Sequence, residues 1–243
     1  MNNKPERSQI FALVPCWLWI FVLFPMFMPF VGLGIWGQKE YSAWLEIVYH
    51  AANGIVTLAI ILRYLKEEWF MVTTAFSHYL KHIFLTVGLA AGAELLLLGI
   101  LHLLGFNIDV MLEWLPVVEM SVSQSPLLLL AVQPIWGGIV MSVFSSIIIC
   151  SLFYCGVFAP ICYKEPWLAY VCTAVATLIP AIINILWRGE TETFWAICTY
   201  IVQLPIHLVM CWSYQKTDNV WTPLLSLMVF NMLTSIALYT IFF

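Results

Sequence analysis

The sequence predicts an all-α protein, a polytopic bundle of transmembrane helices with seven spans, or eight. Three observations carry that expectation. Hydrophobic residues fill 63% of the 243 positions and charged residues only 9%, whereas a soluble domain carries about a quarter charged residues to clothe its surface. Apolar runs of about 20 residues, enough to cross a bilayer, recur along the whole chain. The few charges gather between those runs, and the 12 Trp and 10 Tyr suit the interfacial belts where such side chains collect.

The apolar segments fall at roughly 10–36, 42–65, 83–105, 126–161, 167–187, 194–213 and 221–243. The first follows a polar N-terminus, is longer than a signal-peptide core and lacks a small-residue cleavage site, so it reads as a retained span. Pro15, Pro25 and Pro29 predict that it is kinked or partly re-entrant. The second carries His50 and Asn53 on one face. The stretch 66–82, with Glu67, Glu68, His78 and His82, reads as a solvated amphipathic connector. His78 and His82 share a helix face and could form a metal pair, but no third ligand is spaced with them.

The third segment holds a GxxxG pair, Gly88 and Gly92, and places Glu94 mid-span. The fourth is too long for one crossing at about 1.5 Å per residue. Pro134 and the Gly137, Gly138 pair mark where it would break, bend or begin as an interfacial helix. Ala169, Thr173, Thr177 and Ala181 make a small-residue stripe along the fifth. Both small-residue faces predict close helix contacts inside a bundle, where lipid offers no hydrophobic gain. In the sixth, Tyr200, Gln203, His207 and Tyr214 fall on one face.

Charge placement favours seven crossings with a cytoplasmic N-terminus in the cell membrane. Lys4, Arg7, Arg63, Lys66, Lys81, Lys164 and Lys216 then lie inside and only Lys39 and Arg188 outside, as the positive-inside rule requires. The 106–125 loop, with Asp109, Glu113 and Glu119, lies outside. Residues 1–125 form a variable N-terminal part of three spans and 126–243 a core, together one membrane domain. The lipid bilayer is the first partner, and nucleic-acid binding has no basic patch to support it. Seven scattered cysteines without a CxxC pair argue against a disulfide framework and a zinc site. Nothing points to a haem, nucleotide or other cofactor.

Glu94, Tyr200, Gln203 and His207 are costly in lipid and must face the bundle or a wet cavity. The favoured reading is a hydrogen-bonded clamp between helices. The functional reading is a polar cavity for a substrate, ion or peptide.

From residue 200 the chain reads Tyr-Ile-Val-Gln-Leu-Pro, then Tyr214-Gln-Lys-Thr-Asp-Asn-Val-Trp-Thr-Pro223, then Asn231. This resembles the closing part of the CPBP family (CAAX proteases and bacteriocin-processing or immunity proteins, also called Abi), and the likeness covers at least residues 126–235. In that family a helix ends in Tyr-x-(Lys/Arg)-Thr-(Gly/Asp)-(Asn/Ser)-x-Trp, and the next presents His-x-x-x-Asn. Tyr214, Lys216, Thr217, Asp218, Asn219 and Trp221 match the turn, and Asn231 the final Asn. The family's Glu-Glu-x-x-x-Arg-Gly motif falls on 150–156, where Cys150 and Ser151 replace the glutamates, Cys155 the arginine, and Gly156 matches. Thr177 and Ala181 stand for the Phe and His of the second motif, and Leu227 for the His of the third.

The spacing puts these positions at a shared depth. Cys150 is 14 residues before Lys164, Ala181 is 14 beyond Trp167 and Asn231 is 10 beyond Trp221, each about 15–21 Å from the cytoplasmic boundary. What the resemblance implies is a bacterial intramembrane-protease architecture from which the chemistry has been removed. Attack of water on a peptide carbonyl needs a general base and an oxyanion stabiliser, and Ala181 and Leu227 have no polar side-chain atom. The expected function is therefore binding or scaffolding of a membrane protein or peptide partner by a pseudoprotease. Two alternatives stay open. One is an active intramembrane endopeptidase with a shifted site using Glu94, His207 or Cys150, including a Cys150/His207 dyad. The other is a bacteriocin-immunity or small transporter-like protein.

Overall fold

The computed structural model describes residues 43–105, 132–162, 165–188 and 193–242, and all of them that adopt regular structure are helical. The 10–36 segment, its prolines and the acidic 106–125 loop lie outside the described residues, as do the side chains of His50, Cys155 and Ala181. In chain order the elements are α1 (Ala43–Thr74), α2 (Phe76–Leu103), α3 (Val132–Phe153), a π-helical segment (Tyr154–Cys162), α4 (Pro166–Arg188), α5 (Thr193–Thr217) and α6 (Trp221–Phe242). Among the described residues, two stretches are long and apolar enough to cross a membrane, Phe76–Leu103 and Ser142–Cys162.

The connector expected at 66–82 is helix almost throughout. α1 runs on to Thr74, Ala75 alone interrupts it, and α2 starts at Phe76. The hydroxyls of Thr73 and Thr74 fold back onto the carbonyls of Phe70 and Met71, a local competition with the helix ladder that marks the end of α1. The outer face here carries Phe70, Met71 and Phe76 as well as the exposed Lys66, while Val72 is buried. α2 ends on Gly105, whose φ of +85° suits a residue without Cβ.

The fourth segment also differs from expectation. Pro134 lies in the first turn of α3 and the helix continues unbroken through Gly137 and Gly138. At the start of a helix the missing proline N–H is one of the groups that would lack a partner anyway. The departure comes later, at Tyr154, where the winding becomes π-helical through Pro160. Pro160 has no N–H to donate to the carbonyl four residues back and its ring crowds that carbonyl. A wider i→i+5 turn accommodates both.

α6 packs against α3, α2 and α5; α1 lies on α3; and α4 covers α5 and the π-helical segment. The core is built from α3, the π-helical segment, α5 and α6, around Phe158, Met210, Cys211, Val220, Leu224 and Leu227. Ala169, Thr173 and Thr177 are buried, so the small-residue stripe of α4 is an interface. The GxxxG pair is not one among the described residues. A Cβ built on Gly88 or Gly92 would meet nothing within 4 Å. That face of α2 also turns Phe84, Leu85, Leu95, Leu96 and Leu103 outward, a polarity that suits a helix standing in lipid.

Candidate functional site

The stretch 150–156 straddles the junction between α3 and the π-helical segment. Cys150 and Ser151 are both buried. The Ser151 hydroxyl donates back to the Ile147 carbonyl within its own helix. The Cys150 thiol faces the Val220 carbonyl at 4.0 Å. Gly156 is half-buried on the π-helical segment.

The other motif positions are distributed over two separate contacts. Asn231 on α6 donates to the Ser146 hydroxyl at 2.9 Å, one turn before Cys150. Leu227 is buried in the apolar core. Thr177 on α4 hydrogen-bonds His207 Nδ1 on α5 at 3.0 Å and donates to the Thr173 carbonyl at 2.8 Å. Asn231 meets α3 at Ser146, one turn before Cys150, while the Cys150 thiol faces the Val220 carbonyl beside the start of α6. The change of winding at Tyr154 lies between Cys150 and Lys164, so a count at about 1.5 Å per residue does not apply along that stretch.

The polar stripe of α5 divides in the same way. His207 is buried, bonded to Thr177 and packed 4.6 Å from the Phe153 ring. Tyr214 is buried and stacked on Phe158 at 5.0 Å. Tyr200 and Gln203 are half-buried on α5, and Glu94 is half-buried on α2. The Cys150/His207 dyad is not formed, since each side chain is engaged elsewhere. His207 thus clamps α4 to α5. Replacing it by Leu, or Thr177 by Val, should each cost about 1 kcal/mol. A double-mutant cycle on detergent-solubilised protein should return a coupling of about 0.5–1.5 kcal/mol, and additive effects would show that the pair is incidental.

The turn at 214–221 is held by several polar contacts. Asp218 adopts φ 46°, the left-handed region that Gly, Asn and Asp tolerate best, and its N–H returns to the Tyr214 carbonyl at 2.7 Å. Asn219 is fully buried. Its side-chain oxygen accepts the Trp221 N–H at 2.9 Å, an N-cap that satisfies one of the first orphan donors of α6. Its amide donates to the Glu68 main-chain carbonyl at 2.9 Å.

Sequence reasoning assigned Glu68 to a solvated connector, yet it is the residue that ties this turn down. One carboxylate oxygen accepts the Val220 N–H, at the start of α6. The other accepts the Tyr154 hydroxyl at 3.1 Å, and next to it the rings of Trp69 and Trp221 lie 4.6 Å apart. A negative charge at a helix N-terminus is favoured by both the free N–H groups and the helix dipole. The available signal was its spacing: Glu68 and Val72 stand four apart on one helix face, and Val72 is buried.

The His78 and His82 rings do share a face, 4.7 Å apart and edge to face. Among the described residues, no group of three or more His, Cys, Asp or Glu side chains could hold a metal ion. No protein-family model, curated protein or solved structure matches this chain.

Proposed function

We propose that the chain is a multi-pass membrane protein of CPBP-like architecture that has lost catalysis and holds a partner protein or membrane peptide through its helix bundle. The reading takes seven crossings with the N-terminus in the cytoplasm. The observation that carries it is the contrast between two places. The 214–221 turn that bears the resemblance is capped, buried and anchored by Glu68. At the motif positions, Cys150, Ser151, Thr177 and Leu227 are used for packing and local hydrogen bonds. A water-activating site needs a base beside the reacting carbonyl and a donor set for the oxyanion. His207, the one imidazole in the stripe, is spent on Thr177.

Affinity purification of the full chain in mild detergent should recover one membrane partner at constant stoichiometry. Repeated recovery of the protein alone overturns the proposal. So does cleavage of unstructured or prenylated peptides that Glu94→Gln, His207→Ala or Cys150→Ala abolishes, which would instead support the shifted-site protease.

A further inference from the structure

Cys162 and Cys211 come from different elements and are 49 positions apart, yet their sulfurs lie 3.9 Å from each other. Cys162 closes the π-helical segment and Cys211 sits in the last two turns of α5. Both are free thiols and both are buried. Gln215, one turn after Cys211, covers the pair. Its amide nitrogen is 3.8 Å from the Cys211 sulfur and 4.0 Å from that of Cys162, and it donates to the Pro166 carbonyl at 2.8 Å. Beyond it, Glu165, Pro166 and Trp167 are exposed. The two thiols therefore sit one side chain below the surface, at the end of the bundle where α4 begins. Neither belongs to the motif positions or to the polar stripe.

We infer that Cys162 and Cys211 form a modification site, a dithiol that closes to an intramolecular disulfide when exposed to hydrogen peroxide. One sulfur attacks a peroxide oxygen, the O–O bond breaks, and one water leaves as a sulfenic acid forms. The second sulfur attacks the sulfenic sulfur, the S–O bond breaks, and a second water leaves with the S–S bond made. The two thiols lose two hydrogens and two electrons, and the peroxide is reduced by the same two electrons. Closure to about 2.05 Å needs rotation of the two side chains and a small approach of α5 to the π-helical segment. The product links the junction ahead of α4 covalently to α5. Nothing in this depends on the proposed partner binding.

The test uses the full chain in detergent, treated with hydrogen peroxide, then unfolded, alkylated and mapped by mass spectrometry without reduction. The expected product is one cross-linked peptide pair containing Cys162 and Cys211, two hydrogens lighter than the sum of its peptides and separated by dithiothreitol. Cys150 and Cys172 should remain alkylatable. The melting temperature of the oxidised protein should rise by roughly 5–10 °C, and Cys162→Ser or Cys211→Ser should abolish both changes. Free Cys162 and Cys211 after a peroxide dose that oxidises methionines, or separate sulfinic acids at the two positions, would overturn the inference. If either serine variant fails to fold, the wild-type peptide map decides alone.

Discussion

Glu68→Ala should lower the stability of the protein by about 2–4 kcal/mol, a drop of roughly 5–12 °C in melting temperature for a chain of this size. The substitution removes the acceptor of the Val220 N–H and of the Tyr154 hydroxyl together. Val220 is almost fully buried, so its donor has no water to turn to, and an unpaired buried donor carries its whole desolvation cost. Asn219 would keep its bond to the Glu68 main chain, which limits the loss to the carboxylate. Glu68→Gln retains an acceptor without the charge and should cost about half as much. Lys66→Ala, two residues earlier on an exposed side chain, is the matched control. Equal melting temperatures for Glu68→Ala and Lys66→Ala would show that the carboxylate does not tie α1 to the 214–221 turn.

Gly54 should be far less replaceable than Gly88 or Gly92. A Cβ added there would lie 2.5 Å from Cδ1 and 2.9 Å from Cβ of Phe144. The ring can rotate away, but the Phe144 Cβ is fixed to the backbone of α3. Relief therefore requires α1 and α3 to separate, along an interface that is otherwise closely packed. Gly54→Ala should cost about 1–3 kcal/mol and Gly54→Leu more. Gly88→Ala and Gly92→Ala should be neutral or slightly stabilising, because Ala is the better helix former and nothing stands in its way. Thermal unfolding of the three alanine variants side by side checks the difference in sign. Partial rescue of Gly54→Ala by Phe144→Ala would assign the cost to this contact.

The contrast between those glycines shows what was legible in the chain and what was not. GxxxG is a visible pattern, and Gly54 stands alone in an apolar run. A pattern of small residues says that a backbone can be approached closely, not that anything approaches it. Where nearly every side chain is apolar, hydropathy cannot separate the two sides of α2. In α4 the stripe includes Thr173 and Thr177, whose hydroxyls gain from partners within the protein, and both are buried. The clamp reading of the α5 stripe suits His207, which meets Thr177. The candidate site shows the same division. The 214–221 turn stood out in the sequence as a motif running from Tyr214 to Trp221, whereas the left-handed Asp218 and the Asn219 cap are findings of the structure. Its anchor, Glu68, lies 151 residues away from Asn219, and no local rule links the two.

The sequence by itself determined that the described chain is helical and roughly where α4, α5 and α6 begin and end, whereas α2 starts at Phe76, ahead of the expected 83. The agreement follows from a local cause, the apolar content of each segment. Only the tertiary structure decided which face of each helix is covered, that α3 passes through Pro134 and changes winding at Tyr154, and that Cys150 and Asn231 meet different partners. Those outcomes depend on long-range contacts and on small changes of helix pitch. A shift from α to π winding over nine residues moves every side chain beyond it around and along the helix, and residue counting has no term for that.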